Sequence, residues 1–483
     1  MASWLSRRSA LKAILAACGA VRSSSTFASS PPPYSLAVFQ ADVTPPLGHA
    51  LMGGGIAPAK EIKDPLSANG LVILGGGHPI VLVAVDWCEI RNDAYARWQT
   101  VLAQAAKTTT NRVLVCSIHQ HDAPVADLQA QRLLTANHLQ GSICDVQFHE
   151  QAVQRVAQAL KASLQKPRRF SEIGLGQAKV ERVASNRRYV DADGTIKFNR
   201  TSATRDLAIR EKPEGRIDPW LKTLSFWNDG EPIAALSCYA THPMSYYGRG
   251  GVSSDFVGMA RTRRFEDDPR IAQIYVSGCS GNVTAGKYND GSLENRPILA
   301  ERIYQAMVAA WKATQKHVLK QTLEFRAVPL RLEPRNDAGF TVEDLDQRLR
   351  SEKSKPFDQC LAALGLSWRK SADTGRALTL PVLDFGIAQL LLLPGESYVE
   401  YQLLAQKIRP DSFVMTIGYG ESATGYVPTD KAFQEGDTNL RDWCWVGPGA
   451  EKAITAALET ALKPKGSVTT AEGDTNDSWG HFK

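Results

Sequence analysis

The stretch Arg112-Val113-Leu114-Val115-Cys116-Ser117-Ile118-His119-Gln120-His121 decides how this chain is read. Residues 112–118 form a short apolar run rich in β-branched side chains, the pattern of a strand buried on both faces. It opens onto two histidines one residue apart. Polar, chemically competent side chains directly after a buried strand are the mark of a site built at the end of a sheet. A His-x-His pair on a loop can supply a metal ligand and a neighbouring acid or base. Alone it also fits two hydrogen-bonded loop histidines.

Outward from this stretch, strands and helices alternate. Tyr34 to Asp42 reads as a strand that ends in the turn Thr44-Pro45-Pro46, with Gly53-Gly54-Gly55 as a flexible loop near it. Leu71–Leu74 and Ile80–Val85 read as strands joined by Gly75-Gly76-Gly77-His78-Pro79, a hairpin signal. Residues 92–106 and 148–165 carry helical patterns; the second has Val153, Val156, Ala157 and Leu160 on one face. Further strands are expected at 221–227, 233–240, 271–276, 378–383, 387–393 and 412–417, and helices at 299–313, after Glu396 and at 450–462. The expected fold is α/β, with mixed β-sheets layered with helices in one large catalytic domain over residues 35–465. No Pro/Gly/Ser-rich linker, charge block or repeat divides that span.

The two ends read differently. Ser6-Arg7-Arg8-Ser9-Ala10-Leu11-Lys12, then an apolar stretch to Val21 and small residues to Ser30, has the pattern of a twin-arginine export signal over residues 1–30. The stretch is far short of the ~20 residues needed to span a bilayer. Export to the periplasm or outside the cell is therefore expected. Leu15-Ala16-Ala17-Cys18 also fits a lipoprotein box, which would anchor the protein to a membrane surface through Cys18. Residues 466–483 read as a polar, disordered tail.

The chain has 483 residues, 43% hydrophobic and 22% charged, an ordinary globular composition. Four of its six net positive charges, Arg7, Arg8, Lys12 and Arg22, lie in the export segment, leaving +2 for the rest. With no basic stripe interleaved with aromatics, nothing points to nucleic acid. The eight cysteines include no C-x-x-C pair, which argues against a thiolate zinc knuckle. Cys116 and Cys238 lie in strand-like runs and read as buried free thiols.

Three further features join His119 and His121. His242 ends the run Ala234 to Ala240. Glu396 follows Leu390-Leu391-Leu392-Leu393-Pro394-Gly395, where a carboxylate is costly to bury without a cation or donors. Tyr426 lies in Gly425-Tyr426-Val427-Pro428-Thr429. Each could be a packed structural residue. Together they put two imidazoles, a carboxylate and a phenol near strand ends, a donor set that zinc accepts.

Eight segments in order resemble the catalytic domain of the neutral/alkaline, non-lysosomal ceramidases. They are Ala41–Pro46, Ser117–His121, Asn186–Tyr189, Ala240–Pro243, Ser253–Asp255, Gly278–Thr284, Pro394–Glu396 and Gly425–Thr429. The similarity spans roughly residues 36–460. It implies one zinc ion held by His119, His242, Glu396 and Tyr426, with His121 as acid/base or oxyanion group and Arg187 on the substrate's polar atoms. Thr284 stands where the family usually has Ser or Asn. Asp255 is a candidate acceptor behind a ligand histidine, though such an Asp is as often a helix cap. The implied partner is a small amphiphilic N-acyl compound, and the implied reaction is hydrolysis of its amide.

The departures are specific. Too few residues follow Tyr426 for the family's C-terminal immunoglobulin-like domain, so the resemblance is to the short bacterial members. Phe433-Gln434-Glu435-Gly436 has Gln434 where the long members carry a tyrosine, and Asp122 follows His-Gln-His where the family often has Ser-Gly. These changes bear on whether ceramide itself is cleaved. A barrel amidohydrolase would need its His-x-His at the first strand and further ligands. A metallo-β-lactamase would need His-x-His-x-Asp-His. An exported, non-catalytic binding relative remains the rival reading.

Overall fold

The computed structural model describes residues 34–320 and 322–463. The export segment, Cys18 and the tail 466–483 lie outside the described residues. Among the described residues no helix is long and apolar enough to cross a membrane.

Three mixed sheets carry the fold. The first has the strand order Val113–Ser117, Ile80–Val85, Ser67–Leu74, Tyr34–Asp42, Arg168–Phe170. The second has Ala272–Ser277, Glu231–Tyr239, Trp220–Asn228, Glu172–Lys179, Gln315–Val318. The third has Glu324–Leu330, Leu378–Asp384, Ala388–Leu392, Phe413–Ile417. The hairpin between residues 67–74 and 80–85 is antiparallel, as its sequence predicts. Gly75, Gly76 and Gly77 all have positive φ, which β-carbon-bearing residues rarely adopt.

Each sheet holds a single parallel pair, and that pair lies at one edge: 80–85 with 113–117, 231–239 with 272–277, and 388–392 with 413–417. A parallel pair needs a crossover. Helices Asn92–Ala106, Asp255–Asp267 and Val399–Ile408 supply the three. The three sheets thus contain three strand–helix–strand units, one each, and the carboxyl ends of their edge strands meet. The Ser117 N–H donates to Tyr419 O at 3.0 Å and the Gly418 N–H to Ser277 O at 2.9 Å. The Ser277 hydroxyl donates to Ile118 O at 2.7 Å. Three sheets are therefore laced together where their loops begin.

Strand periodicity divides the core in two. Leu82, Ala84, Leu114, Cys116, Leu390 and Leu392 join one cluster with the second sheet and helices 255–267 and 295–312. The alternate residues Val81, Val83, Val113, Val115 and Leu391 join the other, with helices 92–106, 146–163, 356–373 and 450–462. Apolar side chains on both faces explain why these strands read as unbroken apolar runs. All seven described cysteines are buried and unpaired.

One sequence expectation changes. Gly53-Gly54-Gly55 is a packed 3₁₀ turn, Met52–Gly54, rather than a flexible loop. A β-carbon on Gly55 would lie 2.5 Å from Met52 and 2.7 Å from Phe357, so glycine is needed for a close approach.

Replacing Ser277 by Ala leaves the buried Ile118 carbonyl without its partner, a loss of about 1–3 kcal/mol. The urea midpoint should fall accordingly. An unchanged midpoint would mean that this link does not hold the strand ends together.

Candidate metal centre and its cavity

His119 sits just past strand 113–117 in the left-handed region, with φ of 70°. Its ring stacks on Tyr419, centroids 4.3 Å apart and planes at 18°. Tyr419, just past strand 413–417, also has positive φ, 56°. Two non-glycine residues in this region cost on the order of 1–3 kcal/mol each, and such strain collects at functional sites. The lacing of the strand ends maintains both.

The two ring nitrogens of His119 face different partners. Nδ1 lies 2.9 Å from Cys88 O. Nε2 lies 3.3 Å from Glu396 Oε2 and makes no hydrogen bond. His242 repeats the arrangement: Nδ1 is 2.6 Å from Ser280 O and Nε2 is 2.9 Å from Glu396 Oε2. A carbonyl only accepts, so both Nδ1 atoms carry hydrogen. In a neutral ring Nε2 is then a lone pair, and both lone pairs point at a carboxylate oxygen. Three acceptors facing one another within 4.8 Å, all buried, require a cation or a proton between them. Two imidazoles and a carboxylate, with each imidazole's far nitrogen fixed by a carbonyl, fit a divalent metal such as zinc.

Electrostatics without metal agree. Desolvation pushes the Glu396 carboxyl up, but the two histidines outweigh it and hold its pKa far below the usual range. Desolvation lowers His119, yet the pull of Glu396 prevails and its pKa ends raised. Burial and then Arg187 bring His242 down to about 4. Glu396 thus draws positive charge toward the imidazoles when no metal is bound.

Glu396 and Tyr426 are register partners in a two-stranded parallel ladder, which sets the carboxylate beside the phenol. Arg187 Nη1 donates to Tyr426 Oη at 2.6 Å and to Gly281 O at 3.1 Å, and its Nε has no partner. Burial raises the Tyr426 pKa more than Arg187 lowers it. His121 makes an edge contact with His119, at 5.2 Å between centroids, and neither of its ring nitrogens has a hydrogen-bond partner among the described residues. Burial and the adjacent imidazoles keep its pKa well below the ordinary value, so the ring is neutral. His119, His121, Arg187, Glu396 and Tyr426 all line a cavity of ≈ 270 Å³.

Cys88 forms an alternative group with His119 and His121. Burial raises its thiol pKa strongly, however, and its own carbonyl holds His119 Nδ1. The group centred on Glu396 is the better donor set.

Two sequence-based candidates lie elsewhere. The Thr284 hydroxyl donates to Thr201 O and accepts the Gly286 N–H; it does not line the cavity. Asp255 accepts the Ser245 N–H and lies 3.4 Å from Arg296, so its charge answers an arginine rather than a ligand histidine. Asp255 opens helix 255–267, with Ser254 at the cap. Asp122 accepts the Gly248 N–H, which ties the His-Gln-His loop to the loop bearing Met244 and Tyr247. Gln434 is exposed and does not line the cavity; of the residues after it, Asn439 and Trp443 do. Tyr419, Trp443, Phe357 and Tyr247 carry no sequence motif; only the position of Tyr419 after an apolar strand could have drawn notice.

No protein-family model matches the chain, and no curated protein matches it by sequence. In three dimensions it is similar to a crystal structure of neutral ceramidase from Pseudomonas aeruginosa. The TM-score is 0.65 at 18% identity, over 89% of this chain and 74% of that one. A structure of ceramidase complexed with C2 gives the same TM-score and identity, over 89% and 75% of the two chains. The fold is of neutral-ceramidase type.

Metal binding should displace the proton that otherwise neutralises this cluster of acceptors. Calorimetric titration of zinc in buffers of different ionisation enthalpy should register proton release at neutral pH, with affinity rising as pH rises. Proton uptake, or no proton change, would contradict this assignment.

Proposed function

We propose that this protein is a zinc-dependent hydrolase that cleaves the amide bond of a small amphiphilic N-acyl substrate, exported from the cell by its twin-arginine segment. One observation carries the reading: two buried Nε2 lone pairs and the Glu396 carboxylate converge at the floor of a cavity that also contains the partnerless His121. The fold likeness to ceramidases supports the reaction class.

His119, His242 and Glu396, with Tyr426 beside them, would hold the metal. Zinc when bound supplies Lewis acidity and an acidified water. The protein's own groups do the rest. His121, neutral and with both nitrogens free, has one N–H to offer a developing oxyanion and one lone pair to take a proton. That proton can pass to the departing amine nitrogen, which must leave neutral. Arg187 fixes the Tyr426 oxygen through Nη1 and has Nε left for a carbonyl or hydroxyl of the substrate. Thr201, Ser202 and Asn439 give the cavity a polar lining suited to the amine portion. Its apolar lining residues limit water around the scissile bond.

The test is metal analysis of purified protein together with turnover on a panel of N-acyl amines that includes ceramide. The expected content is about one zinc per chain. His242→Ala or Glu396→Ala should remove most metal and activity. His121→Ala should keep the metal and lose about 10²–10³ in kcat, as for one oxyanion donor. Unchanged metal content in both ligand variants would end this reading, and full activity without the His121 imidazole would remove its role.

A further inference from the structure

The cavity around the candidate metal centre is lined by two kinds of residue. Arg187, Thr201, Ser202 and Asn439 are polar; Met52, Met244, Tyr247, Phe357 and Trp443 offer mainly apolar surface. Its volume, ≈ 270 Å³, lies just under the roughly 300–1,000 Å³ of pockets that hold drug-sized ligands. Space of that size encloses a scissile amide and a few further carbons, so a longer chain has to continue past the residues that line it.

The apolar wall resists widening. Phe357 stacks on Trp443, centroids 6.2 Å apart and planes at 23°. Trp443 is fixed from behind: its indole N–H donates to Glu89 Oε1 at 2.8 Å, and its ring meets Trp445 at 5.4 Å. Glu89 is itself buried against Arg91 at 2.7 Å. Phe357 enters from the first turn of helix Pro356–Asp373, with Pro356 in the first turn and the tight turn at Gly55 in contact with its ring. Phe357, Trp443 and Met52 are half-buried and Tyr247 is 36% exposed, whereas Met244, Glu396 and Tyr426 are buried. The stacked pair therefore stands nearer solvent than Met244, Glu396 and Tyr426, at the outer part of the cavity.

We infer that the Phe357–Trp443 stack is a chain-length stop, and that the site takes short-chain N-acyl amines with a polar amine part rather than long-chain ceramides. This rests on the hydrolase reading for the reaction and on cavity shape for the substrate. In a hydrophobic pocket one methylene is worth about 10–200-fold in discrimination, so a stop of this kind produces a sharp optimum.

The test uses N-acetyl, N-butanoyl, N-octanoyl and N-palmitoyl derivatives of one amino alcohol. Binding to metal-free protein is measured by quenching of tryptophan fluorescence, and hydrolysis by the zinc-loaded protein in parallel. The expected order has acetyl or butanoyl tightest and palmitoyl at least about tenfold weaker. Phe357→Ala and the smaller change Phe357→Val should each move the optimum to longer chains. Equal or tighter binding of the palmitoyl compound by the unaltered protein, no binding of any member, or an optimum unmoved in a folded Phe357 variant would overturn the inference. Were neither variant to fold, the order in the unaltered protein would still decide. The predicted binding order without hydrolysis would instead refute the hydrolase reading and leave the length stop standing.

Discussion

The arrangement depends on a carboxylate held between two imidazole lone pairs. Cys88 O and Ser280 O claim the Nδ1 hydrogens of His119 and His242, which fixes both tautomers. Both Nε2 atoms must then face Glu396 as acceptors. Such a cluster, fully buried, is unstable unless a positive charge joins it. A proton can do this, and so can a divalent ion. The backbone carbonyls fix the tautomers that turn both Nε2 lone pairs toward the carboxylate, and so set up the need for a cation.

The geometry that brings these groups together comes from topology. Each sheet ends in a parallel pair with its own crossover helix, and the carboxyl ends of all three pairs converge. Ligands settle at that end of parallel strands because the loops there diverge and leave a crevice. Here three such ends share one crevice. His119 and Tyr419 follow the first and third edge strands, Ser280 follows the second, and His242 and Glu396 follow the inner strands. The backbone links through Ser117, Ser277 and Gly418 transmit any shift of one sheet to the others. The positive φ at His119 and Tyr419 is held by these links and by the stacking of the two rings.

Much of this was legible in the residues. Tyr34–Asp42, Ile80–Val85, Asn92–Ala106 and Ala450–Leu462 appear with the boundaries that their patterns predict. Their hydrophobic spacing is regular, and turns or polar residues bound them. His119, His242 and Glu396 come within 4.8 Å of one another, and Tyr426 is the ladder partner of Glu396, although 307 positions separate His119 from Tyr426 in sequence numbering. What stayed hidden has physical reasons. Helix 255–267 buries Arg261 and Arg264, and Arg261 is neutralised by Asp86 from a distant loop, so no apolar stripe marks it. Strand 324–330 is half-exposed at a sheet edge and contains Pro329. Gly53–Gly55 read as flexible because its packing partners, Phe357 and Trp443, lie some three hundred residues or more away. Asp255 and Thr284 were drawn toward the site by neighbouring motifs, while their own hydrogen bonds go to Ser245 and Thr201.

The central claim is that the three acceptors share one cation. Its most direct measurement is the anomalous scattering of crystals of zinc-loaded protein recorded on both sides of the zinc absorption edge. The account predicts a single strong difference peak bounded by Nε2 of His119, Nε2 of His242 and the Glu396 carboxylate. A peak confined to Cys88 and His121, or none at this cluster in protein saturated with zinc, would contradict it.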